Sequence, residues 1–267
     1  MSARLGIIGC GKMGYALLKG ITQNAGAYAS IYACDPEAER IELFSREFGA
    51  IAADQSQVVA GADIVILAVK PAQVKKILKA TSPDWDSNKL LISIAAGIKT
   101  ASIEKEVGKA VRVVRVMPNT PCLIGEGVAA VAGGRYANPD DLQTVQTMME
   151  KVGLAVTIDE GYMDAVTAVS GSGPAYVFLL VEAMSDAALA LGLSSDVCRR
   201  LVLQTFKGSL SMIENTGEHP AVLKAQVTSP GGTTIAGLRE LEAGGIREAF
   251  FAAIEKACQR SIELGAD

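Results

Sequence analysis

The stretch RLGIIGCGKMG, residues 4–14, decides the fold of this chain. Its first half is an apolar run that predicts a strand, and Met13, Leu17 and Ile21 recur behind it at helical spacing. Three glycines separate the strand from the helix with the spacing G-x-G-x-x-G. A turn of this kind, placed between a strand and a helix, is typical of proteins that bind a dinucleotide.

Each glycine of this turn has an expected role. Gly9 permits the tight turn, Gly11 lets the backbone approach a pyrophosphate, and Gly14 lets the helix pack closely on the strand. Free N–H groups at the helix start attract the phosphates. We therefore predict dinucleotide binding, with an ordinary glycine-rich turn as the alternative.

Asp35 lies 21 residues after Gly14 (35 − 14), at the end of the second predicted strand. An acidic side chain there accepts hydrogen bonds from the adenosine ribose and favours NADH over NADPH. Asp35 also precedes Pro36, and Asp before Pro is a usual helix N-cap, with Pro at the first helical position. Both interpretations stay open.

The first 160 residues alternate between short apolar runs and helical patterns, which predicts an α/β domain with a doubly wound, mostly parallel sheet of the Rossmann type. The longest run, over residues 63–69, suits a parallel strand that is covered on both faces. The predicted strands cover residues 4–8, 30–34, 50–52, 63–69, 90–94, 111–116, 128–131 and 154–158.

Residues 161–267 predict a separate, all-α domain. No strand pattern follows Met163, and long helical patterns cover residues 176–191, 196–215 and 246–264. Their apolar stripes are wide for a small domain and would expose a large patch in a monomer. We therefore expect an obligate oligomer.

Composition argues against several classes of partner. The net charge of −4 without a Lys/Arg cluster gives no footprint for nucleic acid or an anionic membrane surface. The longest charge-free run, residues 165–181, contains Ser170–Pro174, which we expect to interrupt it as a membrane span. Five scattered cysteines without a C-x-x-C pair predict reduced thiols in the cytoplasm, and a single histidine makes a zinc site improbable.

The scarcity of histidine also bears on the chemistry. Reduction of a ketone usually needs a proton donor, most often His, and this chain has only His219, for which capping or a surface position is the commoner fate. A cyclic imine can be protonated in solution before hydride arrives, so its reduction mainly asks for orientation and for carboxylate binding.

The segment 227–234, VTSPGGTT, is a candidate carboxylate binder. Its glycines expose backbone N–H groups, a predicted helix start follows them, and the hydroxyls can donate hydrogen bonds. A capped connection between two helices is the alternative.

Loops at strand ends supply further candidates. Lys70 and Ala96 follow two neighbouring strands and line the predicted crevice, although a Lys at a strand end is more often simply solvated. Asn119 is suited to orient a nicotinamide amide or substrate, or to stabilise its own turn. The segment Ser170–Pro174 is either a turn that exposes backbone or a kink in a long helix, with glycines for close packing.

Five segments of the chain belong together: GCGKMG (9–14), AVKP (68–71), RVMPNTP (115–121), SGSGPAY (170–176) and VTSPGGTT (227–234). Taken together, they resemble the pyrroline-5-carboxylate reductase family over essentially the whole chain, in order and without large gaps. The last two segments are far more specific than the glycine turn.

The resemblance implies reduction of Δ1-pyrroline-5-carboxylate to L-proline by NADPH or NADH. It implies an N-terminal Rossmann domain, and a C-terminal domain whose helices interleave with a partner in a dimer, with five dimers forming a decamer in many members. The implied cofactor contacts are Ile8, Gly9, Cys10, Gly11, Lys12, Met13, Asp35, Gln55, Val69, Lys70 and Ala96. The implied substrate residues are Ser229, Gly231, Gly232, Thr233, Thr234 and Glu218, with the Thr234 hydroxyl, the candidate catalytic group, near the ring nitrogen.

Three questions stay open at this point. The family more often prefers NADPH, whereas Asp35 should repel a 2′-phosphate, so we expect both cofactors to be used. A dehydrogenase of the β-hydroxyacid type shares the N-terminal architecture, but a catalytic Lys on the linking helix is not evident. A module that only senses the redox state of NAD(P)H would keep the glycine turn and have no reason to carry residues 229–234.

Overall fold

The computed structural model describes residues 3–23 and 26–266. Within them, eight strands form one sheet. They are β1 (Arg4–Ile8), β2 (Ser30–Cys34), β3 (Ile51–Ala52), β4 (Ile64–Leu67), β5 (Leu90–Ser93), β6 (Arg112–Pro118), β7 (Gly127–Gly133) and β8 (Gly153–Thr157).

The strand order in the sheet is β3-β2-β1-β4-β5-β6-β7-β8. Every neighbouring pair is parallel except β6 and β7, so the predicted doubly wound, mostly parallel sheet is confirmed. The antiparallel pair has a simple cause: only residues 119–126 connect β6 to β7, and a parallel crossover needs a dozen residues or more.

Twelve α-helices are described, and none of the described residues after Met163 lies in a strand. They are α1 (Lys12–Ile21), α2 (Ala38–Phe48), α3 (Gln55–Gly61), α4 (Pro71–Thr81), α5 (Thr100–Val107), α6 (Pro139–Met149), α7 (Met163–Val166), α8 (Gly173–Ala190), α9 (Ser195–Thr216), α10 (Pro220–Gln226), α11 (Thr233–Ala243) and α12 (Ile246–Ala266). Short 3-10 turns cover Ser82–Asp84, Thr120–Ile124, Glu150–Val152 and Glu160–Tyr162, and Thr167–Gly171 forms a π-helical turn.

The chain divides into two compact units. One contains the residues up to Ser172 together with the stretch from Lys256 onward, and the other is Gly173–Glu255. The domain boundary predicted between residues 160 and 161 stays a prediction.

The central strands of the sheet are buried on both faces, as their apolar runs predict. On one face Leu5 and Ile7 pack with Leu17 of α1 and Phe44 of α2. The other face carries a second cluster, in which buried β4 residues meet apolar side chains of α3, α4 and α5 and the ring of Trp85. Because helices cover both faces, the loops at the strand ends are the part of the sheet that stays open to a ligand.

A buried arginine ties distant parts of the first unit together. The Arg115 side chain on β6 is 2% exposed, and its two Nη atoms lie 3.5 Å from Glu160 Oε1 and 3.6 Å from Asp164 Oδ1. Glu160 accepts hydrogen bonds from the backbone N–H and the hydroxyl of Thr100 at 2.7 and 2.6 Å. Asp164 accepts one from the Ser261 hydroxyl at 2.7 Å. Burial of such an ion is costly unless it is paired, and the two carboxylates supply the opposite charge here, although Arg115 Nη2 makes no hydrogen bond among the described residues.

The helical path continues through Ser170–Pro174, so of the two interpretations the structure has the long helix and not the turn that exposes backbone. The segment does not break the apolar run, which is contrary to our expectation. A π-helical turn over Thr167–Gly171 carries the helix into α8, and Pro174 lies in the first turn of α8, where a missing N–H costs nothing. By length and apolar composition alone, the resulting stretch Glu160–Ala190 would suffice to cross a bilayer, which corrects the expectation that no segment would. The core helix of a soluble protein passes the same test.

Candidate functional site

The predicted cofactor residues converge on one edge of the sheet. Residue Ile8, the last of β1, pairs with Cys34 of β2 and with Leu67 of β4, and Leu67 pairs with Ser93 of β5. The carboxyl ends of these four parallel strands are therefore level, and strand order reverses between β1 and β4. A crevice at such a point is where doubly wound sheets bind nucleotides.

The three glycines of the turn differ in what surrounds them. Gly9 has φ +102°, and a β-carbon placed on it would stand 2.4 Å from the carbonyl oxygen of Ala68. A β-carbon on Gly14 would stand 2.5 Å from the carbonyl oxygen of Gly9. A β-carbon on Gly11 would meet nothing nearer than Arg40 Nη1, at 3.8 Å. Gly9 and Gly14 are thus required by the fold itself, whereas the space at Gly11 is left open.

The start of α1 offers unpaired backbone donors. Gly11 is the N-cap, no side chain caps the helix, and the first backbone bond back to it comes from the Tyr15 N–H at 2.9 Å. The N–H groups of Lys12, Met13 and Gly14 have no acceptor among the described residues. The first turn contains no acidic side chain and carries an exposed Lys12. An anion such as a pyrophosphate fits these donors.

Asp35 is not the helix N-cap that the sequence suggested. The helix α2 begins at Ala38 with Glu37 as its N-cap, so Pro36 precedes the helix. The Asp35 side chain is 4% exposed and accepts hydrogen bonds from the N–H groups of Cys10 at 2.7 Å and Glu37 at 2.9 Å. The Asp35 carboxylate thus binds the backbone of the glycine turn at Cys10, 25 residues away in sequence. The residues around Asp35 give no indication of this contact.

The thiol of Cys10 is unsuited to act as a nucleophile. Burial, reinforced by the negative charge of Asp35, raises the pKa of the Cys10 thiol to about 12. Burial also raises the pKa of the Cys34 thiol. Only the thiolate form of a cysteine reacts readily, so the Cys10 sulfur is not a candidate nucleophile. Cys10 contributes to the site through its backbone alone.

The remaining cofactor candidates lie at helix starts and in the loop after β5. Lys70 is the N-cap of α4, with an exposed side chain and an N–H that donates to Gln73 Oε1 at 3.3 Å. Gln55 is the first residue of α3, and Val69 is half-buried. The loop that carries Ala96 packs against the end of α12, since a β-carbon on Gly97 would stand 2.9 Å from the carbonyl oxygen of Ser261.

Asn119 is largely engaged within the protein. Its Oδ1 accepts a hydrogen bond from the Val128 N–H at 3.0 Å, and its Nδ2 donates to the carbonyl oxygen of Ser170 at 3.2 Å. The side chain therefore stabilises its turn, as one of the two interpretations had it, and also holds the π-helical turn. Gly171 packs closely there, because a β-carbon on it would stand 2.5 Å from Met117 Cε.

The second unit contains the candidate carboxylate loop. Gly231 has φ +67°, and Gly232 is the N-cap of α11, which no side chain caps. The first backbone bond back to Gly232 comes from Ala236. Within the described part of this unit, the N–H groups of Gly231, Thr233, Thr234 and Ile235 have no acceptor.

Gly232 departs from the expectation for this loop. Its N–H donates to the carbonyl oxygen of Ser229 at 3.1 Å, so it is not free to bind a ligand. A β-carbon on Gly232 would stand 2.2 Å from the Ser229 hydroxyl oxygen and 3.3 Å from the Ser229 carbonyl oxygen. The loop therefore keeps its helix-start donors while losing one of the amides that the sequence predicted.

His219 caps a helix, the commoner fate expected for it. It is the N-cap of α10, and its Nδ1 accepts a hydrogen bond from the Ala221 N–H at 3.2 Å. The neighbouring Glu218 is exposed, and its N–H donates to the Thr216 hydroxyl at 3.2 Å. Across the residues that the structure describes, no group of three His, Cys, Asp or Glu side chains is placed to hold a metal ion.

Comparisons with known proteins agree with these features. The family described as pyrroline-5-carboxylate reductase dimerisation matches residues 160–264, and the one described as NADP oxidoreductase, coenzyme F420-dependent, matches residues 4–97. A pyrroline-5-carboxylate reductase of Methanosarcina acetivorans is 42% identical over 98% of both chains, and one of Arabidopsis thaliana is 40% identical over 98% of this chain and 96% of its own. The crystal structure of Plasmodium falciparum pyrroline carboxylate reductase with NADP bound is 35% identical, with a TM-score of 0.89 over 98% of both chains.

The contrast between Gly9 and Gly11 gives a matched test of the turn. We expect Gly11→Ala to leave the free energy of unfolding within about 1 kcal/mol, since its backbone has ordinary angles and its β-carbon meets no atom closer than 3.8 Å. Its affinity for NADPH should nevertheless fall at least about tenfold if the turn binds the pyrophosphate as the sequence predicts, because the methyl group would then occupy the space that the pyrophosphate needs.

Gly9→Ala is the companion variant and should lose about 2 kcal/mol or more of stability, owing to its positive φ and the contact with Ala68. Urea unfolding and NADPH titration by nicotinamide fluorescence measure both effects. A Gly11→Ala variant with wild-type NADPH affinity would contradict the assignment of the pyrophosphate to this turn.

Proposed function

This chain belongs to the pyrroline-5-carboxylate reductase family, and on that premise we propose that it reduces Δ1-pyrroline-5-carboxylate to L-proline with NADPH or NADH, the last step of proline biosynthesis. The observation that carries the proposal at the level of residues is the row of unpaired N–H groups at the start of α11. An anionic ring compound needs such donors, and the turn has no use for them in folding.

The cofactor would be held by the carboxyl edge of the sheet. The N–H groups at the start of α1 bind the pyrophosphate, with Gly11 leaving room for it and Ile8 and Cys10 lining the turn. Val69, Lys70, Ala96 and Gln55 line the remaining length of the nicotinamide dinucleotide, which supplies the hydride when bound.

The substrate carboxylate would be held by the loop before α11. The N–H groups of Gly231, Thr233 and Thr234 donate to it, and the hydroxyls of Ser229 and Thr233 add further donors. The partial positive charge of the helix start favours the anion. Glu218 is exposed and precedes α10, and it is the acidic residue that the family resemblance implies near this loop.

The reaction then requires little acid–base chemistry from the protein. Hydride adds to the carbon of the C=N bond, and the electron pair of that bond ends on the ring nitrogen, which carries its proton from solution. The Thr234 hydroxyl steadies the ring nitrogen by a hydrogen bond. His219 is excluded as the donor from Nδ1, since that atom accepts the Ala221 N–H.

Spectrophotometric oxidation of NADH and NADPH tests the activity directly. We expect turnover with Δ1-pyrroline-5-carboxylate and none with a 2-keto acid of similar size, because the imine is protonated in solution before hydride arrives whereas a ketone needs a proton donor from the protein. Turnover of the keto acid alone would indicate a dehydrogenase of the β-hydroxyacid type. Binding of NADPH without turnover of either would indicate a sensor.

Thr234→Ala tests the role of its hydroxyl. We expect kcat to fall about 10- to 100-fold while the NADPH dissociation constant stays within twofold, because the hydrogen bond that is lost goes to the charged ring nitrogen and not to the cofactor. Thr234→Ser should restore most of the rate. Thr228→Ala is the matched control, since the Thr228 hydroxyl already donates to the carbonyl oxygen of Lys224 at 2.6 Å. Unchanged turnover in Thr234→Ala would remove Thr234 from the mechanism.

We also infer that residues 161–267 form a dimerisation domain whose helices interleave with those of a second copy. Between Gly173 and Glu255 only Cys198 and Val202 are buried apolar residues. Large apolar side chains in the same unit are exposed, among them Val177, Phe178, Leu179, Leu203, Leu210 and Phe251. An apolar surface of that size needs a cover, and the matched family is named for dimerisation.

We propose the larger assembly and the location on separate grounds. A decamer of five dimers is the assembly that the family resemblance implies. A cytoplasmic location accords with five free cysteines, three of them buried.

The mass in solution tests the assembly. Light scattering should give at least twice the chain mass of 27.8 kDa, with ten copies as the expected larger species. A stable single chain near 28 kDa at micromolar concentration would contradict the dimer, because the exposed side chains of α8 and α9 would then face water.

A further inference from the structure

Arg40 stands beside the glycine turn and was not among the residues that the sequence analysis selected. It is the third residue of α2, and its Nη1 is the nearest atom, at 3.8 Å, to the position of a β-carbon on Gly11. The same atom lies 3.8 Å from Asp35 Oδ2, and Nε lies 2.9 Å from Glu37 Oε2. The side chain is 43% exposed, so the guanidinium borders the turn and is also open to a ligand.

Asp35 is committed to the protein at the same place. Its two oxygens accept the N–H groups of Cys10 and Glu37, and its side chain is 4% exposed. Turning the carboxylate toward a ribose would leave these backbone donors without their acceptor, which is costly for a buried group. Its negative charge is moreover faced by the Arg40 guanidinium, which weakens its repulsion of a phosphate.

The present partner of the Arg40 Nε is readily exchanged. Glu37 is 61% exposed, and an ion pair between exposed side chains three residues apart on a helix contributes little. A phosphate monoester offers a guanidinium two parallel charge-assisted hydrogen bonds, a stronger arrangement. Arginine near the end of the second strand is a known way for such sheets to accommodate a 2′-phosphate.

We propose that Arg40 is the specificity-determining residue that binds the 2′-phosphate of NADPH, and that Asp35 is a positioning residue that holds the glycine turn. This rests on the proposed function only in taking a nicotinamide dinucleotide to lie on the turn. Asp35 then does not exclude NADPH. NADH remains usable, since the turn binds its pyrophosphate in the same way, and discrimination between the two cofactors resides in Arg40.

Binding of two cofactor fragments to the intact protein tests the proposal without any turnover. We expect Arg40→Ala to weaken 2′,5′-ADP at least about tenfold in calorimetric titration and to leave 5′-AMP within twofold, because only the first carries the 2′-phosphate. Arg40→Lys should retain part of the preference. Arg46→Ala is the matched control, since Arg46 lies in the last turn of the same helix, is 67% exposed and pairs with Glu47.

The positioning role of Asp35 has its own variant. Asp35→Asn should weaken both fragments to a similar extent, because the turn loses an ionic acceptor and neither fragment is read by the side chain. A selective gain for 2′,5′-ADP would show that Asp35 repels the 2′-phosphate and would overturn this part of the proposal.

The other outcomes are equally decisive. Equal loss of both fragments in Arg40→Ala, or loss of neither, would overturn the assignment of the 2′-phosphate to Arg40, as would a wild-type protein that binds 2′,5′-ADP no more tightly than 5′-AMP. Failure to reduce pyrroline-5-carboxylate with fragment selectivity intact would count against the proposed reaction alone.

Discussion

The backbone of Gly9 lies wedged between two neighbouring strands, and the nucleotide half of the molecule depends on that contact. Its N–H donates to the carbonyl oxygen of Cys34 at the end of β2, while its α-carbon faces the carbonyl of Ala68 just after β4. No side chain fits at that point. The glycine turn therefore lies level with the ends of both strands. The unpaired N–H groups at the start of α1 lie along the same edge of the sheet as the loops that carry the other cofactor candidates.

Most of the fold could be predicted because it follows from local patterns. Alternating apolar runs and helical stripes located the strands, although residues 63–69 were predicted as strand where the structure has Ile64–Leu67. The antiparallel β7 was not predicted, and Ser170–Pro174 was left open between a turn that exposes backbone and a kink in a long helix. The first depends on the length of a connection, and the second on a π-helical turn stabilised by Asn119 from 51 residues away.

The candidate site divides in the same way. The glycine turn and the loop before α11 carry their chemistry in consecutive residues, so the sequence located both. Asp35 could not be interpreted, since its carboxylate is bound by Cys10 across the strand ends. Arg40 was missed because helix α2 places its side chain beside Gly11. Nothing in the spacing of the two residues indicates that contact, and a basic residue on a helix usually faces solvent.

The π-helical turn at Thr167–Gly171 sets the phase of everything that follows it on the same helix. One residue added to an α-helical path rotates the downstream side chains by about 100° around the axis. A single deletion within residues 167–171 would thus rotate the side chains of α8 around the helix axis by about 100°, which is more than a quarter of a full turn. A different face of α8 would then take the place of the face that now carries Phe178. Insertions and deletions here should therefore be far less tolerated during divergence than substitutions.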